Sequence, residues 1–233
     1  MFAEELAKTI DHTLLRPDAS ADDIGLLCAQ AANHHFAAVC MLPHWVRHAR
    51  RLLSTSDVKV CTVIDFPYGA DGMSAKVVAA EEAVALGADE IDVVICVPGM
   101  LAGDFTYVRK ELSGVVRAVR LAAVNSGRGL VLVKAIIETC YLSNKLKQLA
   151  CRIVEDAGAD FVKTSTGLGP AGATVHDVEL LRDALSERVA VKASGGIRTF
   201  DDVERMIAAG AARIGTSAGD EIMREFHALQ QVG

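Results

Sequence analysis

The chain has 233 residues, a formal net charge of −6, and a composition that is 51% hydrophobic but only 5% aromatic. That length accommodates one domain or two small ones, with a core built from Ala, Val, Leu and Ile. The acidic balance and the lack of a basic stripe exclude a nucleic-acid surface, and no apolar run reaches membrane-spanning length without a charge.

The opening Met1-Phe2-Ala3-Glu4-Glu5 lacks the basic and apolar character of a secretion signal. Cys28, Cys40, Cys61, Cys96, Cys140 and Cys151 form no Cys-x-x-Cys pair and lie mostly in apolar runs. They are expected to be buried free thiols of a cytoplasmic protein, and their spacing gives no metal site. His44 and His48 could share a helix face, but no third ligand stands near them in sequence.

Short β-branched runs alternate with longer amphipathic stretches. Strands are expected at 9–11, 37–41, 58–64, 90–95, 130–137, 161–165, 189–193 and 213–215. Seven helical stretches separate them and an eighth follows. Capping residues mark several helix starts, namely Ser20, Asp104, Ser143, Thr174 and Thr199. The phrases Gly87-Ala88-Asp89, Gly158-Ala159-Asp160 and Gly210-Ala211 each precede a strand and read as the turns of a repeating βα unit. Eight such units in one chain predict a single (β/α)₈ TIM barrel over residues 1–233. A doubly wound open sheet is the alternative, and the first strand lacks the Gly-x-Gly-x-x-Gly that would support it.

Lys134, Lys163 and Lys192 recur at an interval of 29 residues, each after a valine in an apolar strand. The interval matches one strand-plus-helix unit and predicts equivalent places on three successive strands. Lysine is rarely buried without a partner, so three of them inside strands suggest a shared task in one pocket. Asp11 and Asp92 also lie in strands and could meet them at the C-terminal mouth of the barrel, whereas Glu90, nearer its strand's start, reads as a structural ion-pair residue.

A lysine amine attacks a carbonyl only when neutral, and its ordinary value is about 10.4. Two ammonium groups about 5 Å apart repel by about 3 kcal/mol at an effective dielectric of 20. A lysine pair therefore favours Schiff-base chemistry, with a neighbouring carboxylate such as Asp92 moving protons. Ser194-Gly195-Gly196 and Gly215-Thr216-Ser217 follow the last two strands, where such barrels often bind phosphate.

These segments resemble the deoxyribose-phosphate aldolase family. The likeness rests on Ile10-Asp11-His12-Thr13-Leu14-Leu15, on residues 87–94, and on Lys134 with Glu138-Thr139-Cys140. Phe161-Val162-Lys163-Thr164-Ser165-Thr166-Gly167 and Val191-Lys192-Ala193-Ser194-Gly195-Gly196-Ile197-Arg198 complete it. It spans about residues 9–219. The resemblance implies a class I aldolase that reversibly cleaves 2-deoxy-D-ribose 5-phosphate to D-glyceraldehyde 3-phosphate and acetaldehyde, without metal or organic cofactor. Its partners would be a small phosphorylated sugar and short aldehydes, and a homo-oligomer is compatible with it.

The resemblance further implies that Lys163 is the Schiff-base lysine and Lys192 the lysine that perturbs it. Asp92 is the acid/base carboxylate and Asp11 supports the proton relay. Thr166, Gly167, Gly195, Gly196, Gly215 and Ser217 match substrate and phosphate positions, and Lys134 supports the substrate site by charge and hydrogen bonds. Asp65 and Cys96 depart from the family pattern and are expected to flank the mouth, where they would affect the choice of acceptor. The competing expectations are a class I aldolase with another acceptor and a catalytically silent sugar-phosphate binding barrel.

Overall fold

The computed structural model describes residues 2–232. Eight parallel strands close into a barrel in sequence order, β1 (Ile10–Leu14), β2 (Ala38–Met41), β3 (Lys59–Ile64), β4 (Glu90–Val94), β5 (Leu132–Ile136), β6 (Phe161–Lys163), β7 (Ala190–Ser194) and β8 (Arg213–Thr216). The helices are α1 (Ala3–Ala7), α2 (Ala21–His34), α3 (Val46–Leu52), α4 (Met73–Leu86), α5 (Val97–Ala102), α6 (Phe105–Asn125), α7 (Asn144–Ala157), α8 (Val175–Ala184), α9 (Phe200–Ala208) and α10 (Gly219–Val232). This is the expected (β/α)₈ TIM barrel, with each expected strand present. Two short helices, α1 before β1 and α5 after β4, were not expected, because five or six residues are too few to display a helical period. No helix among the described residues is long and apolar enough to cross a membrane.

The caps read from sequence act as caps. Ser20, Asp104, Ser143, Thr174 and Thr199 each accept a backbone N–H from the first turn of the following helix. Gly87 and Gly158 close α4 and α7 in the left-handed region, at φ 111° and 78°. The aspartate of the repeated phrase ties each turn to the preceding strand. The Val60 N–H donates to Asp89 Oδ2 at 3.0 Å, and the Val133 N–H donates to Asp160 Oδ2 at 2.7 Å. Arg128 and Arg120 hold the remaining carboxylate oxygens.

Two apolar regions result. The large core lies between barrel and helices and includes Ile10, Val39, Ile91, Val133, Val162, Val191 and Ile214 from alternate strand positions. Inside the barrel, Ala38, Cys40, Cys61 and Val63 form a separate small cluster on β2 and β3. The other six strands carry charge at their inward positions: Asp11, Glu90, Asp92, Lys134, Lys163, Lys192 and Arg213. The barrel interior is therefore apolar on one side and ionic on the other.

Strand register corrects one expectation. Lys163 pairs with Lys192, so these two lie at one level. Lys134 pairs instead with Phe161, while Lys163 pairs with Ile136. Lys134 thus lies two residues deeper in the barrel, level with Asp92. Equal sequence spacing does not give equal height when neighbouring strands are staggered.

Candidate active site

Asp92 is the centre of the ionic half. Its Oδ2 accepts from Lys163 Nζ and from Lys192 Nζ, both at 2.8 Å, and its Oδ1 accepts from Lys134 Nζ at 2.9 Å. Lys192 Nζ also donates to Asp11 Oδ2 at 2.5 Å, and Lys134 Nζ lies 2.5 Å from Glu90 Oε2. Arg213 completes the network by donating to Asp11 Oδ1 and, at 2.6 Å, to Glu90 Oε1.

Burial alone would push the Asp92 carboxyl up. The ammonium groups of Lys134, Lys163 and Lys192 outweigh it and hold Asp92 well below the usual carboxylate range. Burial likewise opposes ionisation of Asp11, and Lys192, Arg213 and Lys134 overcome it to lower that carboxyl. Burial would lower Lys192 and Lys134, but Asp11 and Asp92 raise the first, and Asp92, Cys61, Glu90 and Asp11 raise the second. Both lysines are held as ammonium ions.

Four cations therefore face three carboxylates. With Lys134, Lys192 and Arg213 charged, the carboxylates are matched and Lys163 is the surplus cation. Sharing one oxygen places the nitrogens of Lys163 and Lys192 no more than about 5.6 Å apart, where their repulsion is about 3 kcal/mol at an effective dielectric of 20. Lys163 is also the one lysine of the three whose side chain retains exposure, 3% against 0% for the others. Lys163 thus keeps access to the mouth, whereas Lys192 at the same level is fully enclosed and Lys134 lies deeper.

The expected phosphate residues do not all fall together. Gly167, Gly195 and Gly196 adopt φ of 86°, 89° and 81°, a region that favours glycine. The β6 and β7 loops touch: a Cβ on Gly167 would lie 3.5 Å from Gly195 Cα. Ser217 is exposed just ahead of α10. Among the described residues, the N–H groups of Gly167, Gly196 and Ser217 have no protein acceptor. They are available to an anion from three adjacent loops.

Two residues differ from their expected placement. Gly215 lies within β8, where a Cβ would meet Ser194 Cβ at 2.9 Å and Lys192 Cε at 3.2 Å. Its missing side chain makes room for Lys192 rather than cradling a phosphate. Lys134, being deep and fully buried, belongs to the carboxylate network and not to the substrate surface. Thr166 lies in the β6 loop, but its hydroxyl donates to Glu138 Oε2 at 2.5 Å and its N–H donates to the same carboxylate.

The Asp65 side chain turns away from the mouth where it was expected, and Cys96, half-buried, joins the same cluster through its backbone. The Asp65 carboxylate turns onto buried Lys76 at 2.9 Å, and Lys76 also meets Glu111 at 3.0 Å. The Cys96 N–H donates to Glu111 Oε2 at 3.0 Å. Lys76 further donates to the carbonyls of Gly69 and Val94. Lys76, Glu111 and the Asp65 carboxylate form a buried anchor beneath the β3 and β4 loops.

Sequence reasoning missed Arg213, the Glu138–Thr166 clamp and Gly172. A Cβ on Gly172 would lie 2.1 Å from the Gly195 carbonyl oxygen, so the chain after β6 packs directly on the β7 loop. Glu138 offered a signal in its resemblance motif; its φ of 51° marks a backbone that non-glycine residues seldom adopt.

The known proteins most informative about this geometry are aldolases. The family model described as "DeoC/LacD family aldolase" matches residues 6–225. A deoxyribose-phosphate aldolase of Caldanaerobacter subterraneus subsp. tengcongensis is 51% identical over 221 residues, covering 95% of this chain and 93% of the relative. One from Brevibacillus brevis is 46% identical over 216 residues, covering 93% and 94%. A solved structure described as a tetrameric deoxyribose phosphate aldolase from Aeropyrum pernix is 33% identical, with a TM-score of 0.88 and coverage of 98% and 93%. The chain belongs to the DeoC/LacD aldolase family.

Proposed function

We propose that this lyase is a class I aldolase that reversibly cleaves 2-deoxy-D-ribose 5-phosphate to D-glyceraldehyde 3-phosphate and acetaldehyde. The observation that carries the reading is the single oxygen, Asp92 Oδ2, held at 2.8 Å by both Lys163 and Lys192. It supports Lys163 as nucleophile, because that lysine meets Asp92 alone and keeps some side-chain exposure.

Lys163 Nζ adds to the open-chain aldehyde carbon, and loss of water leaves an iminium ion. A base takes the proton of the C3 hydroxyl, the C2–C3 bond breaks into the iminium, and glyceraldehyde 3-phosphate departs from the enamine. Protonation of the enamine carbon and addition of water release acetaldehyde and restore the amine. Asp92 is placed to accept and return these protons beside Lys163. Lys192 links Asp92 to Asp11 and gives the relay its second carboxylate.

The free N–H groups of Gly167, Gly196 and Ser217 suit the 5-phosphate. Beside them, Tyr68, Leu101, Tyr141 and Leu168 line an apolar pocket of about 490 Å³ that reaches Glu138 and Thr166. That pocket favours a second reading, an aldolase that also accepts unphosphorylated aldehydes. A cytoplasmic setting and a homo-oligomer belong to the same proposal, supported by the unpaired buried thiols and by the tetrameric relative.

The test is reductive trapping. Acetaldehyde with borohydride should leave one ethyl group, on Lys163, and Lys163→Ala should lose both the adduct and turnover. An adduct mapping to Lys192 or Lys134 would overturn the nucleophile assignment. Comparing retro-aldol rates on deoxyribose 5-phosphate and deoxyribose separates the two acceptor readings.

A further inference from the structure

Cys40 and Cys61 stand 21 residues apart in sequence but are register partners on β2 and β3. Both are fully buried free thiols facing the barrel interior. Their sulfurs and a carboxylate oxygen of Asp92 all lie within 4.8 Å of one another. The Cys61 thiol donates to Asp92 Oδ1 at 3.2 Å.

We propose that Cys40, Cys61 and Asp92 form a binding site for a thiophilic divalent cation of the zinc or cadmium class, and that its occupation blocks imine chemistry at Lys163. Two sulfurs and one oxygen match the ligand preference of such ions. Tetrahedral bonds of about 2.3 and 2.0 Å set ligand atoms about 3.5–3.8 Å apart; Cys61 and Asp92, at 3.2 Å, already lie inside that span, and no pair in the triangle exceeds 4.8 Å. Hard ions are not suited, because magnesium and calcium need about six oxygens and this site offers one carboxylate.

Charge does not forbid the site despite the nearby lysines. A divalent cation replaces two thiol protons, so the net charge of the cluster is unchanged. Lys134 must yield, since its Nζ lies 2.9 Å from Asp92 Oδ1 and 3.5 Å from Cys61 Sγ. It has a second partner in Glu90 at 2.5 Å and can stay paired there. Lys163 and Lys192 then lose part of their shared carboxylate, and Asp92 can no longer carry protons.

Binding and inhibition are read separately. The fully reduced protein is titrated with cadmium chloride while the ultraviolet thiolate-to-cadmium charge-transfer band is recorded, without substrate. One equivalent should bind with two thiolates, and Cys61→Ala should weaken binding by at least about tenfold. Acetaldehyde–borohydride trapping should fail in the cadmium-loaded wild type, persist in Cys61→Ala at the same cadmium concentration, and be untouched by magnesium. Cys40→Ala gives the same contrast, should Cys61→Ala not fold. Equal cadmium binding in wild type and both variants, loss of the band in Cys140→Ser instead, or undiminished trapping in the loaded wild type would each overturn the proposal. Failure of trapping in the metal-free protein would instead count against the aldolase reading, because the cadmium band does not depend on it.

Discussion

Arg213→Leu tests whether the pairing of buried carboxylates holds the barrel interior together. Arg213 binds the Asp11 and Glu90 oxygens that face away from the lysines, while Lys192 and Lys134 bind the other two. The guanidinium is held charged because Asp11 and Glu90 outweigh the burial that opposes it. Leucine leaves two buried carboxylates each short of one partner, and breaking a buried pair from one side costs about 3–5 kcal/mol. For a chain of this length each kcal/mol lowers Tm by about 2–4 °C, so the melting point should fall by roughly 6–20 °C. Glu90→Leu combined with Arg213→Leu removes, together with the guanidinium, one of the two carboxylates that the single variant leaves short of a partner. The double variant should therefore be more stable than the sum of the single effects, by about 0.5–3 kcal/mol in urea denaturation. A single variant melting within about 2 °C of wild type, or strict additivity, would refute the pairing argument.

Asp92→Asn should lower kcat by about 10²–10⁴ with a smaller change in KM, and a pure KM effect would make Asp92 a binding residue. Gly172→Ala drives a Cβ into the Gly195 carbonyl, where the contact would be 2.1 Å. An overpacking cost of about 1–3 kcal/mol should appear mainly as a higher KM for deoxyribose 5-phosphate, and equal losses on deoxyribose would contradict the phosphate assignment. In acid, Asp11 should act through linkage: its folded-state value lies below the ordinary carboxylate value, so the unfolded chain takes up the proton first. Its contribution is complete above about pH 5 and fades as the pH falls below about 4. Acid titration by circular dichroism should give a shallower loss of stability in Asp11→Asn than in wild type, and parallel acid limbs would remove Asp11 from that role.

The fold was readable because every parallel strand has one face against helices, which demands β-branched runs such as Ile91-Val93 and Val60-Thr62-Ile64. The Gly-Ala-Asp phrases were readable for a different reason. Glycine supplies the left-handed turn, and aspartate accepts an N–H from the preceding strand, 29 or 27 residues earlier. Both recur at the same point of the βα unit, so the repeat itself exposes them. The small helices α1 and α5 leave no such trace, being shorter than two helical turns.

The site was only half readable, because its chemistry depends on contacts across the barrel. Chain position showed that Lys134, Lys163 and Lys192 belong to strands but not that stagger sinks Lys134 by two residues. Nor could it reveal that Arg213, on the last strand, is paired with Asp11 on the first and Glu90 on the fourth. Asp65 misled for the same reason: the backbone brings it to the mouth, but its side chain finds Lys76 underneath. These placements together distinguish three chemically identical lysines. Lys134 and Lys192 each meet two carboxylates within 3 Å, whereas Lys163 meets Asp92 alone. A nucleophile must be the lysine that fewest carboxylates hold in place and whose side chain still reaches the mouth. Both conditions select Lys163, on grounds of packing and charge that are independent of the motif around it.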